Sequence, residues 1–380
     1  MASSSSPTAS ATLQWYRPPT FASSRSPVAF SLSSSPKPSL SRRLSLFHFG
    51  TALSQLHLLG RNASLSSMPE KNIMEAGTLA NVAQASPIVV TEGNALEWAK
   101  TDNRRLLHAV YRVGDLDKTV KFYTGCLGMK VLRKRDIPEE RYTNAFLGYG
   151  PEESHFAVEL TYNYGVDKYE IGTGFGHFGV AVEDVTRTVD LVKAKGGKVI
   201  REPGPVKGGS SIIAFIEDPD GYTFELLQRA PTPEPFCQVM LRVGDLDRSI
   251  DFYRKVKQLL ILWSSDSKAY GMELHCKRDN PEDKYTIAIM GYGPEDKNAV
   301  LELMYHYGVK EYDKGNGYAQ IAIGTDDVYK TAEVVRFCGG KIVRDPGPLP
   351  GINTKITACL DPDGWKTVFV DNVDFLKELE

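Results

Sequence analysis

HAVYRVGDLDKTVKFYT (His108–Thr124) returns later in the chain as QVMLRVGDLDRSIDFYR (Gln238–Arg254). A second pair follows them, EDPDGYTFEL (Glu217–Leu226) and LDPDGWKTVF (Leu360–Phe369). Repetition of whole segments in a fixed order indicates a duplicated structural unit. The chain therefore contains two copies of one domain, and the polar positions at which the copies differ indicate which copy keeps the groups that chemistry needs.

Composition limits the kinds of partner. The 380 residues carry a formal net charge of -2, which gives no basic field for nucleic acid. No apolar run approaches the roughly 18 residues that a membrane span needs. The five cysteines form no C-x-x-C pair, so neither a disulfide framework nor a zinc ribbon is expected. We expect a small-molecule partner, with no nucleic acid and no membrane.

The N-terminal segment has the composition of a targeting sequence. The first 69 residues contain 19 serines and no acidic residue, and they carry several arginines and prolines. Such a segment is typical of a transit peptide, and its serine and proline content favours the chloroplast over the mitochondrion. The sequence predicts a plastid transit peptide over 1–70, a linker over 71–103, and a mature protein in the chloroplast stroma.

The hydrophobic period changes in a regular order within each copy. Alternating strand-like residues over 105–113 lead into Asp115, which is placed to cap a helix, and three further strands follow; the same order then recurs from Gly176. Each copy therefore reads as two βαβββ units. The predicted fold class is α+β, with tandem domains over 104–230 and 236–380, a short linker at 231–235, and four units forming curved sheets with clefts that pair across the domains.

Polar residues on the pleats predict a metal site. Successive strand residues face opposite sides of a sheet. If the apolar sides pack under the helices, the concave sides carry His108, Glu159, His177, Glu225 and Arg112. Two carboxylates buried near each other require a cation, and a divalent metal accepts imidazole and carboxylate ligands.

Three stretches carry a family resemblance: RLLHAVYRVGDLDKTVKFYTGCLGMKVLRKRD, FAVELTYNYGVDKYEIGTGFGHFGVAV and VIREPGPVKGGSSIIAFIEDPDGYTFEL. They resemble the glyoxalase I family of lactoylglutathione lyases, in the vicinal-oxygen-chelate superfamily. The resemblance covers the chain from about residue 104 onward, in tandem, and is similar to the plant plastid two-domain form.

The resemblance implies a ligand from each of the four units. The first-copy positions are His108, Glu159, His177 and Glu225, and the second-copy positions are Gln238, Glu302, Gln320 and Val368. Dimeric members of the family take two ligands from each subunit. A fused chain is then expected to join Gln238 and Glu302 to His177 and Glu225, while assembly within the first domain stays open as the alternative.

The substitutions in the second copy have a direct chemical meaning. Gln238 can still ligate through its carbonyl oxygen, but Val368 can neither ligate nor move a proton. In the cross-domain arrangement one cleft is complete, and the cleft with His108, Glu159, Gln320 and Val368 lacks the base.

The reaction implied by the resemblance is isomerisation of the hemithioacetal of glutathione and methylglyoxal to S-D-lactoylglutathione. Its cofactor is one divalent metal ion (Ni, Zn, Mn or Co), with glutathione as part of the substrate. Glu225 is the expected general base and Glu302 the opposed carboxylate. Substrate-binding positions carried over from the family are Arg112, Asn163, Lys207, Arg242 and His306, where His306 departs from the family's asparagine.

Two further expectations concern an insertion and the rival functions. Removing Lys257 to Ala269 (KQLLILWSSDSKA) restores the register between the copies, so 257–269 is either an interaction patch or a splicing product. The same architecture also serves extradiol dioxygenases, with two histidines and one glutamate around iron, and metal-free ligand-binding proteins. Glu225 and Lys207 argue against both. The chain is expected to be a monomer whose domains pair as a pseudo-dimer.

Overall fold

A computed structural model describes residues 97–99, 101–206, 210–254, 270–350 and 352–380. The predicted transit peptide at 1–70, the residue Lys207 and the insertion at 257–269 lie outside these ranges, as does most of the predicted linker at 71–103. Where that linker is described, its indole contacts the second copy, because Trp98 Nε1 donates to Thr331 Oγ1 at 3.1 Å.

Each copy folds as two βαβββ units. The first copy has β1 (Leu106–Arg112), α1 (Leu116–Cys126), β2 (Lys130–Ile137), β3 (Tyr142–Gly148), β4 (Ala157–Asn163), β5 (Phe175–Val182), α2 (Val185–Ala194), β6 (Lys198–Pro205), β7 (Ile212–Glu217) and β8 (Thr223–Gln228). The second has β9 (Phe236–Arg242), α3 (Leu246–Tyr253), β10 (Glu273–Asn280), β11 (Tyr285–Gly291), β12 (Val300–His306), β13 (Tyr318–Thr325), α4 (Val328–Phe337), β14 (Lys341–Pro348), β15 (Lys355–Leu360), β16 (Lys366–Asp371) and a terminal helix, α5 (Asn372–Leu379).

The strands form two eight-stranded sheets, and each sheet takes four strands from each copy. One has the order β14-β15-β16-β13-β1-β4-β3-β2, and the other has the order β10-β11-β12-β9-β5-β8-β7-β6. The copies join where β1 pairs antiparallel with β13 and where β5 pairs antiparallel with β9. The predicted α+β fold and the pairing of units across the domains are therefore confirmed.

The repeated RVGD segment sets the turn from the first strand of a copy into its helix. The Asp115 side chain accepts from the Lys118 backbone nitrogen and thereby caps the first turn of α1, a favourable role for aspartate. A Cβ on the preceding Gly114 would stand 2.0 Å from the Asp167 carbonyl oxygen. Any other residue would displace that backbone, so the glycine fixes the approach of two loops.

In each copy the repeated DPDG segment, in the turn of the last hairpin, forms a hydrogen bond with the first helix of that copy. Asp218 accepts backbone hydrogen bonds from Asp220 and Tyr222, and it also accepts from Tyr123 Oη of α1 at 2.6 Å. The second copy repeats this contact, with Tyr253 Oη donating to an aspartate at 2.7 Å. Satisfied buried polar groups of this kind specify one packing of helix on sheet.

The convex faces pack under the helices in a continuous apolar core, which includes Tyr111, Phe178, Phe224 and Leu241. This packing leaves the polar strand residues on the concave faces. All five cysteines are free thiols. No helix in the described ranges combines the length and apolar character needed to cross a membrane.

Candidate active site

Four polar side chains meet on the concave face of one sheet. His177 lies on β5, Glu225 on β8, Gln238 on β9 and Glu302 on β12, and these strands are neighbours in the order β12-β9-β5-β8. Apolar residues alternate with them and point to the core. The two copies therefore contribute two side chains each to one cluster.

The Gln238 amide nitrogen is the centre of the cluster. Its Nε2 lies 3.0 Å from His177 Nε2, and it is also 3.0 Å from Oε2 of Glu225 and from Oε2 of Glu302. His177 Nε2 is itself 3.3 Å from Glu225 Oε2. An amide nitrogen carries two hydrogens, so it cannot satisfy three acceptors at once.

Burial controls the charge of this cluster. Glu225, Gln238 and Glu302 have no exposed surface, and His177 is 4% exposed. Burial raises the pKa of Glu225 and the pKa of Glu302 to about 8 each, because both carboxylates lose hydration. The same burial lowers the pKa of His177 to about 4, so the imidazole is neutral at physiological pH.

The donor set fits a divalent cation. Oε1 of Glu225, Oε1 of Gln238 and Oε1 of Glu302 are buried without a hydrogen-bond partner, and leaving such atoms unpaired is costly. Two carboxylates, an imidazole and an amide oxygen are ligands that divalent transition metals accept. Among the described residues no three His, Cys, Asp or Glu side chains are already arranged as a metal site, which agrees with the Gln238 nitrogen standing between the acceptors.

A glycine makes room for this cluster. A Cβ at Gly179 would stand 2.3 Å from Gln238 Cγ and 2.8 Å from its Cδ, and the two residues are register partners between β5 and β9. Sequence reasoning missed Gly179. A comparison of the copies could have found it, because Ala322 takes the matching place opposite His108 on the other sheet.

Two of the predicted substrate-binding residues border the four-residue cluster. Arg242 Nη1 donates to the carbonyl oxygens of Phe175 and Thr173 at 2.8 and 2.9 Å, and burial lowers its pKa. His306 Nδ1 lies 3.1 Å from Tyr312 Oη. Burial, followed by the charge of Arg242, lowers the pKa of His306. Lys207, the third predicted contact, lies outside the described residues.

The sheet that contains β1 and β4 brings together His108 and Glu159, at a different place from His177 and Glu225. The concave face of this sheet is the second cleft. His108 Nε2 is 3.4 Å from Glu159 Oε2, and Asn144 donates to Glu159 Oε1 at 2.8 Å. The four-residue set within the first copy is thus not assembled, because β1 and β4 join β13 and not β5 in a sheet. Val368, which is buried, brings no polar group to this second cleft.

The same sheet holds the other predicted positions of the second cleft. Asn163 donates to Tyr169 Oη at 2.7 Å, and Arg112 donates to the Asn316 carbonyl oxygen at 2.8 Å. Gln320 pairs in register with Val110. These positions lie on a different sheet from Glu225, so they surround a different cleft from the complete four-residue cluster.

The terminal helix α5 covers one end of the second cleft. The Phe375 ring lies 6.5 Å from the His108 ring, and Glu378 Oε2 pairs with Arg133 at 3.3 Å and with Arg135 at 2.9 Å. Sequence analysis did not anticipate this cover, because the helix has no counterpart in the first copy.

Comparison with known families places this fold. The sequence profile of the "Glyoxalase/Bleomycin resistance protein/Dioxygenase superfamily" matches residues 105–226 and again residues 236–369. The chain belongs to this superfamily. Its two matched ranges coincide with the two copies, so the duplication is a tandem of superfamily domains.

Several members of the superfamily are similar over most of the chain. A probable chloroplastic lactoylglutathione lyase from Arabidopsis thaliana is 75% identical over 290 residues, covering 76% of this chain and 79% of the relative. A lactoylglutathione lyase from Oryza sativa subsp. japonica is 64% identical over 303 residues, covering 78% and 98%. The crystal structure of glyoxalase I from Zea mays is 66% identical, covers 74% of this chain and 98% of its own, and gives a TM-score of 0.70.

Proposed function

We propose that the chain is a metal-dependent lactoylglutathione lyase, which isomerises the glutathione–methylglyoxal hemithioacetal to S-D-lactoylglutathione and so removes methylglyoxal. The observation that carries this proposal is the buried cluster of His177, Glu225, Gln238 and Glu302, in which three side-chain oxygens have no hydrogen-bond partner. The lactoylglutathione lyases from Arabidopsis thaliana and Oryza sativa, similar over most of the chain, support it.

The four residues of the cluster would hold one divalent ion of the Ni, Zn, Mn or Co class. Their oxygen and nitrogen donors suit that class, and none is a thiolate. Bound there, such an ion lowers the pKa of the substrate carbon acid and stabilises the negative charge that develops on the substrate oxygens.

Glu225 is the proposed general base, which takes the proton from C1 of the substrate and returns it to C2. The carboxylate of Glu225 has no exposed surface, and a carboxylate positioned next to the substrate in this way can take a proton from one carbon and return it to the next. Glu302 faces Glu225 across Gln238. It is the opposed carboxylate, placed to assist with the other hemithioacetal epimer.

Water exclusion and anchoring complete the proposed role of the cleft. The absence of exposed surface on Glu225 and Glu302 limits side reactions with solvent. Glutathione carries two carboxylates, which cations at the edge of the cleft would bind. Arg242 and Lys207 are the proposed cations, and His306, whose pKa is lowered, is the proposed neutral contact. Arg112 and Asn163 would be the counterparts of Arg242 and His306 in the second cleft.

A ring-cleaving dioxygenase is a poorer match to this site. That chemistry uses two histidines and one carboxylate around iron, whereas the cluster offers His177 with Glu225 and Glu302. A metal-free binding protein would have no reason to bury two carboxylates with raised pKa values. The donor set therefore favours the lyase.

Plastid import and a monomeric state are further parts of the proposal. The similar protein from Arabidopsis thaliana is described as chloroplastic, and residues 1–70, which are rich in serine and have no acid before Glu70, are the proposed transit peptide to the stroma. Both sheets are completed by strands of one chain. A second subunit is therefore not needed to build the cleft.

Metal removal tests the proposed function directly. Protein stripped by a chelator and verified metal-free should form no S-lactoylglutathione, followed at about 240 nm, and a stoichiometric divalent ion should restore turnover. Oxygen uptake with a catechol, measured on the same preparations, tests the dioxygenase alternative. Full lyase turnover without metal, or oxygen uptake without lyase turnover, would contradict the proposal.

A further inference from the structure

Compared with the active cleft, the second cleft has one acidic residue fewer and one basic residue more on a single strand. The concave face of β16 carries Lys366 and then Val368, where the equivalent face of β8 carries Thr223 and then Glu225. Two neighbouring changes thus make this face more positive by two charges. Loss of metal chemistry alone would require only the valine in place of Glu225, not the lysine in place of Thr223.

Lys366 lies beside two arginines on this face. On one side, Ile321 pairs with Thr367, which places Gln320 next to Lys366; Val110 pairs with Gln320, and Arg112 follows two residues later on the same face. Arg112 on β1 and Lys366 on β16 therefore lie close to each other, on the two sides of β13.

Arg344 approaches from the other side. It pairs with Ala358 across β14 and β15, and Ala358 pairs with Val368 across β15 and β16. Burial lowers the pKa of Lys366, and the charges of Arg112 and Arg344 lower it further. Each of the two arginines is therefore close enough to repel the charge of Lys366.

The described residues supply no anion for these three cations. Arg112 donates to the Asn316 carbonyl oxygen at 2.8 Å, and Arg344 donates to the Pro348 carbonyl oxygen at 3.0 Å. Such contacts hold a guanidinium in place without neutralising it. Arg344 Nε is buried without a partner, and none of the three makes an ion pair within the described ranges.

The covered end of the cleft shows the contrast. There, Glu378 of α5 pairs with Arg133 and Arg135 and Glu152 also pairs with Arg133, so the chain itself supplies two anions for two cations. The Arg112, Lys366 and Arg344 end receives no such group. Half-buried like charges destabilise a fold unless an opposite charge joins them.

We propose that the second cleft is a non-catalytic binding site for a small molecule carrying two or more negative charges, held by Arg112, Lys366 and Arg344. Guanidinium groups fit carboxylate or phosphate in two-point contacts, and the ammonium adds a third cation. A divalent metal would be repelled by the same charges. The inference goes beyond the lyase reaction and does not depend on it.

Calorimetry with the metal-loaded full chain and two probes tests the proposal. S-methylglutathione supplies carboxylates and inorganic phosphate supplies phosphate. The active cleft accounts for at most one site, so wild type should show an additional site for at least one probe. Lys366→Thr, which installs the residue of the first copy, should weaken that additional site about tenfold or more, and added salt should weaken it as well. Arg344→Gln provides a second variant with the same expected loss.

Lys341→Thr is the matched control, because Lys341 is exposed on β14 of the same sheet and should leave both isotherms unchanged. Melting curves verify that every variant is folded. Loss of the S-methylglutathione site identifies a peptide carboxylate as the ligand, and loss of the phosphate site identifies a phosphate. Absence of an additional site for both probes, or equal binding by wild type, Lys366→Thr and Arg344→Gln, would overturn the proposal.

Discussion

Gln238 lies across the bare backbone of Gly179, with its Cγ 2.3 Å from the point at which a Cβ would stand. The two residues come from different copies and are register partners between β5 and β9. The position of the central amide therefore depends on the absence of a side chain on the opposite strand. This relationship links the duplication to the chemistry, since neither copy alone builds the contact.

Gly179→Ala should reduce turnover about 100-fold, because a displacement of about 1 Å in a positioned group can cost that much. The methyl group would push Gln238 away from His177, Glu225 and Glu302. Steady-state kinetics and metal content by elemental analysis provide the measurement. A variant that keeps wild-type kcat/KM and bound metal would show that the close approach is irrelevant.

Ala322→Gly is the matched control. Ala322 takes the equivalent place on the other sheet, opposite His108, so removing its methyl group should leave turnover unchanged. A modest loss of stability is expected for both variants, and circular dichroism would show that each keeps the fold.

Sequence patterns predicted the βαβββ units because these follow from the change of hydrophobic period along each copy, whereas the cross-domain grouping of the four polar residues came from the family resemblance. Gly179 was missed since a glycine in a strand carries no sign of which side chain crosses it. The cover formed by α5 was missed for another reason. Its contacts with Arg133 and Arg135 join residues more than 240 positions apart, and no repeat connects them.

Phe375→Ala should destabilise the fold while sparing the reaction. The ring is 3% exposed and packs against the apolar wall of the second cleft, so its loss should cost about 3 kcal/mol of unfolding free energy. Urea denaturation measures the loss and kinetics measure the turnover. Val373→Ala is the control, since Val373 is 59% exposed in the same helix and should change neither.

A fall in kcat with Phe375→Ala under conditions where the variant is folded would contradict this prediction. It would mean that the second cleft contributes to turnover, because α5 packs against the sheet that does not carry Glu225.

The stability of the metal-free protein should fall as pH rises from about 6.5 to about 8.5. Burial raises the pKa of Glu225 and of Glu302 from 4.5 to about 8, so the folded state keeps protons that the unfolded chain has released. The stabilisation is present at low pH and is lost as pH passes about 8. The pKa of His177 is lowered from 6.5 to about 4, and its opposite effect acts mainly between these two values and fades at the start of this window.

Urea midpoints at the two pH values provide the test. Asp218, whose pKa burial raises to about 7, contributes in the same direction, so Glu302→Gln is needed to isolate the cluster. The urea midpoint of the variant should depend less on pH than that of wild type. Bound metal should abolish the part of the pH dependence that comes from Glu225 and Glu302. Equal slopes in wild type and Glu302→Gln would contradict the assigned pKa shift.

Residues 1–75 fused to a fluorescent reporter should accumulate in chloroplasts of transfected plant cells. The segment is rich in serine and has no acid before Glu70, as transit peptides do. The control is the same reporter fused to residues 104–380, which should stay in the cytosol. Cytosolic fluorescence from the first fusion would contradict the predicted targeting.

Glu302→Gln compared with Glu159→Gln tests the central claim, which is that the working site takes two residues from each copy. The same conservative change is made in both variants, and the two carboxylates occupy equivalent strands, β12 and β4, of the two sheets. With Glu302→Gln, turnover of the hemithioacetal should fall about 10²- to 10⁴-fold. With Glu159→Gln, it should stay near the wild-type value. Turnover that collapses with Glu159→Gln and survives Glu302→Gln would contradict the cross-domain site.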